Sequence, residues 1–259
     1  MTDGEAAPDV VGVVGTDTRR VAAAVEAAGG TPRVGDPGNV IAADPGAVIA
    51  VGERAVLDLV ERSVSFPVVA VGAGPGVASV PADATEAAAR EVVTGEWADD
   101  ARHLVAAVVG GRHRARALAD LMLVSAEPAR ISEYAVRIGG EQIAKFRADG
   151  VVLATPTGSA GYARAAGGPL VAPHQPVVSV VPVSPYATDP DQWIAPVDDV
   201  AVTVERNETE VHLLADDRTV GQVPVGTPVE VVHAGEFPLA TVSDSRAWYE
   251  SGQPRVEKH

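Results

Sequence analysis

A change of texture near residue 97 constrains this chain more than any other feature. Before it, short apolar runs alternate with helix-like stretches. Val10–Val14 (VVGVV) ends at Gly15, where Thr16 or Asp17 can cap a helix over Arg19–Ala28 that closes on Gly29-Gly30. Ala47–Val51 leads into a helical stretch Arg54–Ser63. Pro67–Val71 leads through GAGPG to a helix from about Ala84 to Val93, with Asp83 as its cap. Buried strands alternating with helices predict a parallel α/β sheet. After Trp97, partly alternating β-runs dominate: His103–Val109, Arg116–Val124, Ser132–Ile138, Gln142–Arg147, Val200–Arg206, Glu210–Leu214 and Pro228–His233. Val151–Ala154 and Val177–Val183 are more apolar. Gly139-Gly140 reads as a hairpin turn, and only Gly158–Ala166 reads as helical. The expectation is α/β plus β-rich: an α/β domain over 1–97, a β-rich domain over 98–235, and a segment 236–259 returning to the first.

Composition bears on partners. Lys+Arg number 20 against Asp+Glu 35, a formal charge of −15. All but two of the basic residues, Lys145 and Lys258, are arginine. High acid, almost no lysine and small apolar residues fit a halophilic protein, because in molar salt the screening length falls to about 3 Å. An acidic protein of a GC-rich genome has the same look. The sign of the charge disfavours sequence-independent binding to nucleic acid or to anionic membrane. With no cysteine, disulfides, thiolate nucleophiles and Cys-ligated metals are excluded. The acidic start MTDGEAAPDVV lacks the order of a signal peptide, and no apolar run reaches the length of a membrane span, so a cytoplasmic protein is expected.

The stretch Asp149–Pro173, DGVVLATPTGSAGYARAAGGPLVAP, is the most informative. A buried strand runs into the polar turn TPTGS and then a small-residue helix start. Such a turn either presents N–H groups and the hydroxyls of Thr155, Thr157 and Ser159 to a bound anion, or uses the hydroxyls to cap the helix. Spacing alone leaves both readings open.

The segment closely resembles the signature of the NAD kinase family: a D-G strand, T-P-T-G-S-T-A-Y and a G-G-P stop. Asp149, Gly150, Thr155, Pro156, Thr157, Gly158, Ser159, Tyr162, Gly167, Gly168 and Pro169 match, while Ala160 and Gly161 stand where the family has Thr and Ala. ALADLML (117–123) occupies the place of its A-L-N-E strand. The resemblance implies an N-terminal Rossmann-like domain and a C-terminal β-sandwich-like domain with a dinucleotide in the cleft between them. It implies ATP-dependent phosphorylation of the 2′-OH of NAD, Mg²⁺ arriving with the nucleotide, and a homodimer or homotetramer. The binding residues it implies are Gly52, Arg54, Asp120, Asp149, Thr155, Thr157, Gly158, Ser159 and Tyr162.

One hallmark is missing. Where the family has G-G-D-G-T, this chain reads Gly52-Glu53-Arg54-Ala55-Val56. The family's Asp is taken as base on the 2′-OH; Arg54, aligned with it, is always protonated and only donates. The Asn-Glu pair that contacts adenosine is here Ala119-Asp120. Three readings follow: Glu53 takes over as base and catalysis survives, the chain binds a nucleotide without transferring phosphate, or it acts on another nucleotide. Arg54 suits a phosphate in each.

Other chemistries fit less well. Ser159-x-Gly161 is half of a nucleophile elbow, but Thr157 stands where it needs Gly. There is no G-x-x-x-x-G-K-[ST]. The six histidines show no ligand spacing, so no resident metal is expected. Asp198-Asp199 and Asp216-Asp217 read as solvated turn charges, although the second pair lies where the family has an aspartate in a D-G-Q-like turn.

Overall fold

A computed structural model describes residues 7–127, 130–186, 191–246, 248 and 249. The chain divides into two compact units, one of residues up to Arg102 and from Phe237 onward, the other from His103 to Glu236. The first begins with β1 (Val10–Gly15), α1 (Thr18–Ala27), β2 (Thr31–Val34), α2 (Pro37–Ala42), β3 (Ala47–Val51) and α3 (Glu53–Arg62). It continues with β4 (Val68–Val71), α4 (Thr85–Thr94) and β5 (Ala98–Asp99). The second carries β6 (Arg102–Val109), β7 (Arg112–Ala117), β8 (Asp120–Ser125), β9 (Ser132–Ile138), β10 (Glu141–Ala148), β11 (Gly150–Ala154) and α5 (Tyr162–Ala165). After these come β12 (Val177–Val183), β13 (Trp193–Pro196), β14 (Val200–Arg206), β15 (Val211–Ala215), β16 (Arg218–Gln222) and β17 (Pro228–Phe237). Finally β18 (Leu239–Thr241) completes the first unit's sheet.

The first unit is an α/β sheet ordered β2-β1-β3-β4-β18-β5, parallel except for the β18–β5 pair. Its strands read as unbroken apolar runs because the middle ones are buried on both faces. Val11, Val13, Ile49, Val69 and Val71 pack with Val21 and Val25 of α1 and Ala88, Ala89 and Val92 of α4. Neither expected cap forms: Asp17 precedes α1 with a left-handed φ of 50° and no side-chain bond. Asp83 lies one residue before Ala84, the residue that precedes α4.

The second unit is a sandwich of two six-stranded sheets, β10-β9-β14-β17-β6-β7 and β13-β12-β11-β8-β15-β16. Alternate residues of both sheets point into one core: Val105, Ala107, Val109; Leu121, Leu123; Val151, Leu153; Val178, Val180; Val200, Val202, Val204; Val211, Leu213, Ala215. Strand β11 is buried throughout because Val152 and Ala154, on its other face, pack with Ala163 of α5, Val181 and Val183. That double burial explains its unalternating sequence. The run Arg116–Val124 is not one strand. It ends one sheet at Ala117 and begins the other at Asp120, so Leu118-Ala119 crosses between layers.

Candidate functional site

The stretch after β11 does not form one helix. A single 3-10 turn, Gly158–Ala160, is followed by a break at Gly161 (φ −95°, ψ −127°) and the four-residue α5. Thr155, Thr157 and Ser159 are all buried. The Thr155 hydroxyl donates to Leu118 O (2.6 Å), with Ala119 O 3.0 Å away, and accepts Gly158 N–H at 3.2 Å. The Ser159 hydroxyl donates to Pro156 O (2.7 Å) and accepts Val171 N–H (3.0 Å). Thr155 thus makes one local capping-type bond, and both hydroxyls work chiefly as internal ties. Gly158 is required by contact rather than by its dihedrals: a β-carbon there would lie 2.0 Å from Ala119 O. The TPTGS turn and the crossing at Leu118-Ala119 therefore build one another.

A third party holds the crossing. Asp216 sits in the two-residue turn between β15 and β16 with a left-handed φ of 51°. Its Oδ1 accepts the N–H groups of Ala119 (2.7 Å) and Asp120 (3.2 Å), and its Oδ2 accepts that of Leu118 (3.0 Å). Burial pushes its carboxyl pKa up, and the three N–H donors pull it partly back. Asp216 is therefore a half-buried structural acceptor, not the solvated turn charge expected of it. An Asp-Asp pair in a hairpin turn carries no local signal of partners a hundred residues away. Asp198 is also engaged, accepting His233 N–H at 2.8 Å.

Asp149 and Tyr162 come together. Both line a cavity of about 270 Å³ whose walls are Met122, Val124 and Val183 on the apolar side, with Ser125 and Glu127 on the polar side. The Asp149 backbone is pinned: its N–H donates to Val183 O at 3.0 Å, and its carbonyl accepts Ser125 N–H at 3.0 Å. The buried Tyr134 hydroxyl lies 3.5 Å from the same carbonyl. Desolvation pushes the Tyr134 phenol up to about 12, against the hydrogen bonds of Ser132 and Ser125. Tyr162 is half exposed, at 51%. Two carboxylates and a phenol beside apolar walls suit a ring that is neutral or cationic, not a phosphate. Ser125 and Glu127 had no motif to flag them; only strand pairing brings them to Asp149.

Gly52, Glu53 and Arg54 belong to the other unit, at the carboxyl end of β3. Gly52 (φ 88°) donates its N–H to Val71 O (2.8 Å), and Glu53 opens α3. The sheet order reverses between β1 and β3, since β2 lies on one side of β1 while β3 and β4 lie on the other. Open α/β sheets bind ligands outside the strand carboxyl ends at such a switch point. The Arg54 side chain is 62% exposed and pairs through Nε with Asp58 Oδ1 at 3.0 Å, one turn along α3.

The family model for the ATP-NAD kinase C-terminal domain matches residues 118–242, the span that holds the Leu118 crossing, Asp149, the TPTGS turn and Asp216. An NAD kinase of Methanosarcina barkeri is 31% identical over 140 residues, covering 53% of this chain and 50% of the relative. One of Gemmatimonas aurantiaca is 32% identical over 170 residues, covering 63% and 58%. Residues 118–242 thus carry the C-terminal domain of the NAD kinase family. The chain's matches span about half the length of these curated relatives, 50% and 58%. The fold agrees along more of the chain. A solved NAD kinase from Archaeoglobus fulgidus in complex with ATP superposes with a TM-score of 0.71 at 18% identity, over 89% of this chain and 92% of that one. The yeast NADH kinase complexed with NADH gives 0.74 at 17% identity, over 91% and 84%. The α/β unit followed by a β unit is thus the NAD kinase architecture. The loop that departs from the family signature, Gly52–Val56, lies outside the span of the family model.

Proposed function

We propose that this protein binds NAD(H) and transfers the γ-phosphoryl group of ATP to the 2′-OH, giving NADP(H). The observation that carries the reading is the cavity shared by Asp149 and Tyr162. Its carboxylates and apolar walls favour a nicotinamide or purine ring, and its volume suits one ring rather than a whole dinucleotide. Asp120, at the head of β8, offers a carboxylate of the kind that accepts from a ribose diol.

In the transfer step the 2′-oxygen attacks the γ-phosphorus, the bond to the β-phosphate oxygen breaks, and ADP leaves. The 2′-OH proton passes to a carboxylate, for which Glu53 is the candidate. It stands where α3 begins, at the strand carboxyl ends beside the switch point. Glu53 keeps an acceptor in a loop whose Arg54 is only a donor. Mg²⁺ enters as part of the ATP substrate, held by its phosphates; among the described residues no three His, Asp or Glu side chains converge on a metal site of their own.

The test is an NADP-formation assay with ATP, run beside calorimetric titration with NAD across a KCl series. Glu53→Gln is expected to lower kcat by about a hundredfold while leaving NAD affinity within about threefold. Wild-type protein that binds NAD yet forms no NADP at any KCl concentration would overturn the kinase reading.

A further inference from the structure

Two residues satisfy every backbone polar group of Leu118, Ala119 and Asp120. Asp216 takes all the N–H groups on its carboxylate, at 2.7–3.2 Å, and returns its own N–H to Asp120 O at 2.9 Å. Thr155 supplies its hydroxyl to Leu118 O and its N–H to Ala119 O at 2.9 Å. Successive backbone N–H groups converging on one anion form a nest, the arrangement proteins use to hold phosphate. Here the nest is filled from inside.

We infer that Asp216 is a positioning residue of the nucleotide site, occupying the nest of Leu118–Asp120 so that this turn meets ligand through the Asp120 side chain and rejects phosphate. This rests on the nucleotide-binding reading above. With the N–H groups consumed, the turn has no backbone donor left for an anion, and two carboxylates, Asp216 beneath and Asp120 beside it, repel one. What such a turn can recognise is a donor, as a ribose hydroxyl or a base amine is. The constraint is long-range and specific: Gly158 packs without a β-carbon against Ala119 O, so the turn cannot slide away from Thr155. Asp216 also holds a left-handed φ that L-residues adopt at a cost.

The experiment uses the full chain as wild type, Asp216→Asn and Asp216→Ala, with amide exchange at residues 118–120 and titration with NAD and with inorganic phosphate. The wild-type amides are expected to be protected and the Asp216→Ala amides to exchange at least about tenfold faster. NAD affinity is expected to fall about tenfold in Asp216→Ala and to return within about threefold in added formate, which refills the nest. Inorganic phosphate is expected to bind the alanine variant and not the wild type. Formate rescue and the gain of phosphate binding are effects that a merely stabilising residue would not produce. Unprotected amides in the wild type, or NAD affinity unchanged in a folded Asp216→Ala, would overturn the inference. If the alanine variant does not fold, wild-type protection and the NAD affinity of Asp216→Asn decide the matter. Failure of the wild type to bind NAD sinks the nucleotide reading alone, since amide protection and phosphate binding still report on the nest.

Discussion

Adding one methyl group at Gly158 tests whether the TPTGS turn and the Leu118-Ala119 crossing are a single structure. A β-carbon built there lies 2.0 Å from Ala119 O, 2.5 Å from Ala119 C and 2.9 Å from Ala119 Cα. All three neighbours are backbone, and Ala119 O is tied by Thr155 N–H at 2.9 Å. A carbon–oxygen contact needs more than 3 Å, so one segment must move by over an ångström and surrender the Thr155 bonds. Overpacking of this kind costs about 1–3 kcal/mol, and losing one buried hydrogen bond adds about 1 kcal/mol. The lower backbone entropy of unfolded alanine returns about 0.5 kcal/mol. The expected net destabilisation for Gly158→Ala is about 2.5 kcal/mol. Trp193 belongs to the second unit and stacks on Phe146. Its fluorescence in a Trp97→Phe, Trp248→Phe background would follow urea unfolding of that unit. Gly38→Ala in α2 is the control, because the nearest atom there is the Asp36 side chain at 3.2 Å. It should change stability by no more than about 1 kcal/mol. A Gly158→Ala shift no larger than the control's would refute the reasoning.

Other expectations follow from single sites. The Tyr134 phenol should ionise late, near 12; a tyrosinate absorbance titration with no step above about pH 11 would contradict this. Burial raises the Asp216 pKa, so between the unfolded carboxyl value and the raised one the folded state holds more protons than the unfolded state. Stability should therefore fall as pH rises through that window. The stability difference between wild type and Asp216→Asn should fall in step, and a flat difference from about pH 4 to pH 7 would remove the effect. A net charge of −15 should make the thermal midpoint climb as KCl is raised toward molar concentration, and a midpoint independent of KCl would argue against the salt-adapted reading.

Much of the fold was legible because burial writes itself into strand sequences. VVGVV, AVIAV and PVVAV correspond to β1, β3 and β4, whose apolar continuity reflects cover on both faces. The alternating runs correspond to sandwich strands with one face in the core. Strands with little buried surface left no such trace: β2 (TPRV) and β16 (RTVGQ) are edge strands and mostly exposed, and neither stood out. Nor did the short α2, although Asp36 caps it through Asn39 N–H.

The sequence by itself determined an α/β half followed by a β-rich half and, through one unusually specific segment, the resemblance to NAD kinases. Those follow from local periodicity and from the run of residues at Asp149–Pro169, which any chain of this order would display. Tertiary structure alone decided what those residues do. It split Arg116–Val124 between two sheets, turned Thr155 and Ser159 inward, placed Asp149 beside Tyr162, and set Asp216 under a turn far away in sequence. The physical reason is that a hydroxyl or carboxylate takes whichever donor or acceptor packing brings within about 3 Å. That choice is made by strand pairing across the sandwich, not by neighbours along the chain.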